Sequence, residues 1–374
     1  MRRIFACLLA VLCMLSPLPV KAEEVSVSAA SAVLIEAGTG QVLYEKDAHT
    51  PRSMASTTKL MTALVAADCG DWSRTVTVTA PMVAVEGSAL GLRAGDTLTL
   101  RDAVCGMLLV SGNDAANAVA LTLSDSLPDF ARQMNAKAAA IGMKNTRFVT
   151  PSGLDAEGHA ATAYDMALLG AAVLKDPVLA EISAKKSDTI HISGRTVTVS
   201  NHNRLLSLYP GTVGGKTGFT KKSGRCLVSA ATRDGVTLIA VTLKAGDDWN
   251  DHMALFDYGF SKIQAVEWPK SDLPPLPVTG GKAPAVPLAV KWPAPLILPA
   301  GEENTVSMTV HLPRFLFAPV AAGEKVGEVR YTLNSKLHTV VDITAAEEIT
   351  ARPVAGREDR FFEYLRLLWT GLTG

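Results

Sequence analysis

Apolar residues along the first two thirds of the chain follow two patterns, one typical of strands and one typical of helices. Segments rich in β-forming residues at 32–36 and 41–44 flank a glycine-rich turn and predict a hairpin, and similar segments lie at 226–232 and 236–243. Helical periodicity is found at residues 60–67, 100–109, 114–123, 128–141, 162–174 and 249–256. Strands at both ends with helices between them predict an α+β domain whose antiparallel sheet joins the two ends.

A different pattern begins near residue 267. The stretch 268–299 is rich in proline, which excludes a long helix there because proline interrupts helical hydrogen bonding. Polar and apolar residues then alternate as in half-buried strands at 305–312, 325–333 and 336–343. We therefore predict an α+β domain at residues 23–266 and a small all-β domain at 267–350.

The N-terminus has the parts of a secretory signal peptide. Arg2 and Arg3 are followed by an apolar run at residues 4–15 and then by Val20-Lys21-Ala22, a cleavage site with small or branched outer residues. An apolar run of this length is too short to span a bilayer, which takes roughly 20 residues. We expect residues 1–22 to be removed and the mature chain to be exported.

The C-terminal residues, 351–374, carry a separate pattern. At 100° per residue, a helix that starts at Arg357 places most of its charged side chains on one face. The opposite arc contains Phe361, Phe362, Tyr364, Leu365, Leu368, Trp369 and Leu372. Aromatic residues beside arginines are typical of a helix lying in a membrane surface, so we predict an amphipathic membrane-associating helix. The alternative is a helix docked on the protein's own β-domain.

Composition narrows the classes of partner. The chain has 374 residues, of which 48% are hydrophobic, enough for a sizeable core. Loss of residues 1–22 takes away three basic residues and no acid, so the 36 basic residues become 33 beside 36 acidic ones. A mildly acidic exported protein is not expected to bind nucleic acid. The remaining cysteines, Cys69, Cys105 and Cys226, are too few and too widely spaced for a disulfide framework or a metal site, and no cofactor is implied.

Ser56 and Lys59 form the first candidate for chemistry. A separation of three residues places both side chains on one face of a helix, and the apolar residues that follow indicate that this helix is buried. Burial of a lysine without a carboxylate partner lowers its pKa, so a neutral Lys59 could accept the proton of the Ser56 hydroxyl. The alternative interpretation is an ordinary polar pair.

Ser111-Gly112-Asn113 follows the apolar run at residues 107–110. With a nucleophile and a base elsewhere, Ser111 could relay a proton between Lys59 and a leaving amine, and Asn113 could bind a substrate amide. The alternative is a helix N-terminus that Ser111 or Asn113 caps.

Lys216-Thr217-Gly218 follows glycines at positions 211, 214 and 215. Glycine permits close approach of another backbone, so this segment could be an edge strand along which an extended peptide binds, with Lys216 and Thr217 attracting its carboxylate. The alternative is a glycine-rich turn with solvated lysines.

With these three motifs in this order, the chain resembles the penicillin-binding D-alanyl-D-alanine carboxypeptidases of low molecular mass. The resemblance extends over nearly the whole chain, including the β-domain and the terminal helix. It implies a β-lactamase/transpeptidase-like fold for the first domain. It also implies a peptidoglycan stem pentapeptide as substrate and β-lactam antibiotics as covalent inhibitors.

The resemblance further implies a role for each matching residue. The expected catalytic residues are the nucleophile Ser56, its base Lys59 and the proton relay Ser111. The expected substrate-binding residues are Asn113, Lys216, Thr217, Gly218 and Phe219. Backbone N–H groups of Ser56 and Phe219 are expected to form the oxyanion hole, because such donors stabilise the developing negative charge.

One departure from the family pattern concerns the substrate carboxylate. Some relatives hold this group with an arginine from the segment that corresponds to residues 245–251, where this chain has Asp247 and Asp248. Carboxylate binding is then expected to rest on Lys216, Thr217 or another group such as Arg204.

Together these features predict an exported, serine-type carboxypeptidase at the outer face of the bacterial cytoplasmic membrane. It would remove the terminal D-alanine of the stem pentapeptide through an acyl-enzyme. Three alternatives remain: a D,D-endopeptidase of the same family, a β-lactamase, and an inactive penicillin-binding wall protein that keeps the fold. A β-lactamase shares the first and third motifs but normally carries Ser-Asp-Asn as its second.

Overall fold

The computed structural model describes residues 25–302, 304–353 and 365 of the chain. It has two compact units, which divide between Ile263 and Gln264. The predicted signal peptide lies outside the described residues, and of the predicted C-terminal segment 351–374 only residues 351–353 and Leu365 are described. Within the described part of the chain, no helix is both long enough and apolar enough to cross a membrane.

The first unit contains a five-stranded antiparallel sheet. Its strands and those of two small two-stranded sheets are β1 (Ser31–Glu36), β2 (Val42–Lys46), β3 (Thr75–Thr77), β4 (Thr97–Thr99), β5 (Ser187–Ile192), β6 (Arg195–Ser200), β7 (Thr212–Thr220), β8 (Gly224–Arg233) and β9 (Val236–Ala245). The large sheet has the order β2-β1-β9-β8-β7, and Val33 of β1 pairs with Val241 of β9. The expected sheet that joins both ends of the domain is therefore present, with β7 as an outer strand.

Nine helices of the described residues accompany this sheet. They are α1 (Lys59–Ala67), α2 (Ala80–Val83), α3 (Leu100–Leu109), α4 (Asn113–Leu123), α5 (Leu127–Ala140), α6 (Ala163–Lys175), α7 (Pro177–Ala184), α8 (Leu205–Leu208) and α9 (Asp248–Lys262). A Cβ placed on Gly170 of α6 would contact Ile239, and one on Gly259 of α9 would contact Leu238. Adjacent strand residues point to opposite faces, so α6 and α9 cover the two faces of the sheet.

Helix α9 is longer than the sequence predicts. It runs to Lys262, six residues beyond the expected end at Phe256. The glycine at 259 argues for an earlier end when only the sequence is known. In the fold, this glycine lets the helix pack closely on Leu34 and Leu238 of the sheet. The packing outweighs the low helix propensity of glycine.

The regular elements of the second unit that the structure describes are strands. They are β10 (Ile263–Val266, whose first residue is the last of the first unit), β11 (Leu276–Thr279), β12 (Ala285–Val286), β13 (Leu288–Val290), β14 (Leu296–Pro299), β15 (Val306–His311), β16 (Leu316–Phe317), β17 (Lys325–Leu333) and β18 (Lys336–Ala345). The largest sheet has the order β13-β18-β17-β15. Tyr331 is fully buried at its centre and packs against Trp268, so this unit has a small core of its own.

Candidate active site

Ser56 lies in a 3₁₀ turn, Ala55–Thr58, that leads directly into the buried helix α1. The residue before it, Ala55, has a φ of 47°, a left-handed conformation that is costly for any residue with a side chain. A Cβ on Gly153 would collide with the Ala55 carbonyl, so the loop containing Gly153 packs tightly beneath the turn. The packing holds Ser56 in a fixed position at the start of the helix.

Lys59 is completely buried and has three polar partners. Its Nζ lies 3.0 Å from Ser56 Oγ, 2.7 Å from Asn113 Oδ1 and 2.6 Å from the Ser152 carbonyl oxygen. The last two oxygens can only accept hydrogen bonds, so they take two N–H groups of the lysine. The third position of Nζ faces Ser56, where the lone pair of a neutral amine can accept the hydroxyl proton.

Burial and a second lysine lower the pKa of Lys59. Desolvation is the larger cause, the charge of Lys216 adds to it, and Asp114 acts in the opposite direction. The pKa of Lys59 therefore lies well below its ordinary value, which increases the fraction of neutral amine. Lys59 thus lies in the desolvated environment that its predicted role as base requires.

Ser111 and Asn113 do not cap a helix. Helix α4 begins at Asn113 with Gly112 as its N-cap and no side-chain cap hydrogen bond. The Asn113 amide instead joins two segments, because Oδ1 accepts from Lys59 and Nδ2 donates to the Glu86 carbonyl at 2.7 Å. Ser111 has a φ of 63° and lines the same cleft as Ser56. The capping alternative is therefore wrong.

Asp114, which the sequence analysis did not single out, holds the segment beside this motif. Its buried carboxylate accepts backbone hydrogen bonds of 2.8, 2.9 and 3.0 Å from Leu90, Gly91 and Leu92. The same segment contributes the Ser88 carbonyl, which accepts from the Asn113 backbone at 2.7 Å. These bonds fix the start of α4 and hence the Asn113 amide.

Lys216 and Thr217 lie on β7, so the interpretation of this motif as a turn is wrong. The Lys216 side chain is buried, and its Nζ donates to the Thr217 carbonyl at 2.9 Å. Desolvation lowers the pKa of Lys216 to about 7. Near neutral pH, this lysine changes between a charged and a neutral form.

Gly218 brings β7 against the turn that carries Ser56. A Cβ at this position would lie 3.0 Å from the backbone nitrogens of Ser56 and Thr57, tighter than most Cβ contacts in proteins. A cleft of about 300 Å³ opens beside this contact. It is lined by Ser56, Ser88, Ser111, His202, Thr217, Gly218, Phe219, Arg225, Asp248 and Trp249.

The predicted site residues thus fall into two groups. Ser56, Ser111, Thr217, Gly218 and Phe219 line the cleft, and the Phe219 side chain is 66% exposed there. Lys59, Asn113 and Lys216 are buried and are not among the lining residues. The suggested carboxylate ligand Arg204 is exposed and does not line the cleft, whereas Arg225, which the sequence analysis missed, does.

The histidines near the site differ in their environment. His159 and His252 are buried and hydrogen-bonded through both ring nitrogens, an arrangement typical of structural histidines. His202 is exposed and lines the cleft.

Comparisons with known proteins match this arrangement. A family model described as D-alanyl-D-alanine carboxypeptidase matches residues 19–247, and one described as the C-terminal domain of penicillin-binding protein 5 matches residues 272–351. The D-alanyl-D-alanine carboxypeptidase DacF of Bacillus subtilis is 31% identical over 351 residues, which cover 91% of this chain and 87% of DacF.

Solved structures of similar proteins share the fold. The D-alanyl-D-alanine carboxypeptidase of Mycobacterium tuberculosis H37Rv is 35% identical with a TM-score of 0.62, covering 65% of this chain and 95% of that one. The DacD enzyme of Francisella tularensis is 25% identical with a TM-score of 0.63, covering 92% and 98%. The chain therefore belongs to the D-alanyl-D-alanine carboxypeptidase family of serine hydrolases.

Proposed function

We propose that this protein is a serine D,D-carboxypeptidase that removes the terminal D-alanine from peptidoglycan pentapeptides through an acyl-enzyme on Ser56. One observation carries the proposal. Ser56 Oγ lies 3.0 Å from Lys59 Nζ, and the two other partners of that amine are obligate acceptors. This arrangement supports a neutral lysine whose lone pair takes the serine proton.

Acylation begins when Lys59 removes the Ser56 proton and Oγ attacks the carbonyl carbon of the penultimate D-alanine. The negative charge that develops on the carbonyl oxygen would be stabilised by the backbone N–H groups of Ser56 and Phe219. The close contact at Gly218 supports this assignment, since it places β7 beside the Ser56 nitrogen.

The C–N bond then breaks, and the leaving amine of D-alanine takes a proton. Ser111 is the proposed relay, because it lines the cleft and lies two residues before Asn113, whose Oδ1 accepts a hydrogen bond from Lys59. Water subsequently attacks the ester on Ser56, with Lys59 again as base. Asn113 Nδ2 now donates to the Glu86 carbonyl. On substrate binding, Nδ2 would give up this hydrogen bond and donate to the substrate amide instead.

β-Lactams would acylate the same serine. Their ring amide is attacked like the peptide bond, but the leaving nitrogen stays attached to the acyl group. A D,D-endopeptidase would use the same steps on a crosslinked peptide, so the two activities differ in the substrate that the cleft accepts. Thr217 and Lys216, on the strand beside the cleft, would attract the carboxylate of a free peptide end.

A labelling experiment with the mature chain tests the proposal. Wild-type protein is incubated with a fluorescent penicillin and with a pentapeptide that ends in D-Ala-D-Ala, and bound label and free D-alanine are measured. We expect both signals to vanish in Ser56→Ala and to persist in Ser53→Ala, whose hydroxyl is bound to Asp155 outside the cleft. Absence of both signals in the wild type would refute the proposal, and release from crosslinked peptides alone would support the endopeptidase.

We also propose that the enzyme is exported by residues 1–22 and associates with the membrane through residues 351–374. The support is the sequence pattern of both ends. Deletion of residues 357–374 should move the protein from the membrane fraction to the soluble fraction while peptide hydrolysis is retained. Persistence of the shortened protein in the membrane fraction would contradict a membrane role for the terminal residues.

A further inference from the structure

Arg225 stands out among the residues that line the cleft. It is the one lining residue of the described chain that carries a permanent positive charge. Ser56 and Thr217 line the same cleft. A carboxypeptidase must distinguish a free peptide end from an internal peptide bond, and the feature that differs is the terminal carboxylate. A guanidinium in the same cleft as the nucleophile has the matching chemistry.

The local backbone conformation directs the Arg225 side chain toward the cleft. The residue lies near the start of β8, directly after Gly224, whose φ is 68°. It pairs with Phe219 of β7, and the pairing of β8 with β9 shifts between Arg225 and Cys226. A bulge of this kind redirects a side chain that a regular strand would place elsewhere.

Two neighbours hold the guanidinium in one orientation. Nε and Nη2 donate to the same oxygen of the buried Asp248 at 2.7 and 2.6 Å, and the group lies 5.5 Å from the ring centre of Trp249. The Arg225 side chain is nonetheless 42% exposed. Nη1 has no protein acceptor among the described residues, so it retains donors for a ligand.

We propose that Arg225, oriented by Asp248 and Trp249, binds the C-terminal carboxylate of the substrate at the end of the cleft. The proposal rests on the proposed carboxypeptidase function. It also accounts for the acidic residues at 247 and 248. The Asp248 carboxylate orients Arg225, and Asp247 accepts a hydrogen bond of 2.6 Å from Asn250. The cation therefore comes from β8 rather than from the segment 245–251.

A pair of thioesters separates carboxylate binding from the chemical steps. Both carry the same diacetyl-lysyl-D-alanyl acyl group, and the thiol leaving group bears either a free carboxylate or its methyl ester. Thioesters are activated, and both form the same acyl-enzyme, so deacylation is common to the two. Any difference between them reports recognition of the leaving-group carboxylate before that group departs.

Arg225→Gln should lower kcat/KM for the free acid by about 10- to 100-fold, the effect of losing charge-assisted hydrogen bonds. Turnover of the methyl ester should be unchanged, which also shows that the variant is folded. Arg233→Gln is the matched control, because Arg233 lies on the same strand, is also 42% exposed, pairs with Asp257 and packs on Tyr209. It does not line the cleft, so both rates should be retained.

The outcomes distinguish this inference from the proposed function. If the wild type hydrolyses neither thioester and releases no D-alanine from the pentapeptide, the carboxypeptidase function fails. If the wild type is active and Arg225→Gln keeps the wild-type preference for the free acid, the function stands and the role of Arg225 is overturned. An equal loss with both thioesters would also overturn it, because a carboxylate ligand acts on the acid alone.

Discussion

Asn113 Oδ1 accepts a hydrogen bond of 2.7 Å from Lys59 Nζ, which places a neutral amide against the proposed base. A carboxylate at this position would favour the charged lysine and raise the pKa of Lys59. We therefore expect Asn113→Asp to move the acidic limb of the pH profile of kcat/KM upward by about one unit or more. Activity at neutral pH should fall, with partial recovery at alkaline pH.

Asn113→Ala provides the comparison for this effect. It removes the same acceptor without adding a charge, so its activity should fall without the upward shift of the acidic limb. Rates of D-alanine release measured across the pH range of stable protein decide between the two. An acidic limb in Asn113→Asp that coincides with the wild-type limb would argue against Lys59 as the base.

Gly218→Ala should impair catalysis more than folding. The added Cβ would lie 3.0 Å from the backbone nitrogens of Ser56 and Thr57, so β7 and the nucleophile must move apart. A misplacement of about 1 Å at reacting groups costs about 100-fold in rate, so the displacement of a few tenths of an ångström needed here should lower the acylation rate by about 10-fold. Gly246→Ala is a suitable control because its Cβ would meet only the Ser28 side chain at 3.6 Å. Equal acylation rates with a fluorescent penicillin in both variants would contradict the prediction.

Burial of Lys216 should lower the free energy of unfolding, although its charge would contribute to substrate binding. Its pKa is lowered to about 7 by burial, from an ordinary value of 10.5. Between these values the unfolded chain binds more protons than the folded protein, so this cost is greatest at and below pH 7 and disappears as the pH rises to 10.5. We expect Lys216→Met to raise the free energy of unfolding at pH 7 by roughly 2 to 4 kcal/mol.

Urea unfolding at pH 7 and pH 10 measures this difference. The advantage of Lys216→Met over the wild type should shrink at the higher pH, while substrate turnover is reduced at both. Substitution of the exposed Lys221 by Met should leave the stability unchanged. If the methionine variant is no more stable than the wild type at pH 7, burial of Lys216 does not lower the free energy of unfolding.

Local patterns predicted most elements of the first unit and identified the three motifs that surround the cleft. The segment around Lys216 shows why a glycine-rich turn remained an alternative to a strand. Glycines 214 and 215 resemble turn residues, but in the fold they allow β7 to approach Ser183 and β8. A strand that needs glycine for close packing and a glycine-rich turn share the same local sequence, so only the tertiary contact distinguishes them.

Other parts of the site could not be predicted from the sequence for a physical reason. The Ser152 carbonyl that binds Lys59 is a backbone group, which every residue has, so the residue type at 152 does not indicate this contact. Arg225 and Asp248 are 23 positions apart, on a strand and a helix, and become partners only once both pack at the same edge. In some relatives the corresponding arginine comes from the segment that matches residues 245–251, and this segment contains no arginine here.

Substitution of Asp114 should shift the pKa of Lys59 in the direction opposite to that expected for Asn113→Asp. Its carboxylate raises the pKa of Lys59, so Asp114→Asn should lower that pKa further and move the acidic limb of kcat/KM downward, by less than about one unit because no direct contact is lost. The variant should also lose about 2 kcal/mol of stability, since the neutral side chain is a weaker acceptor for the N–H groups of Leu90, Gly91 and Leu92. Pre-steady-state acylation across pH, together with urea unfolding, measures both effects. An upward shift of the acidic limb would contradict the electrostatic role assigned to Asp114, whatever the change in stability.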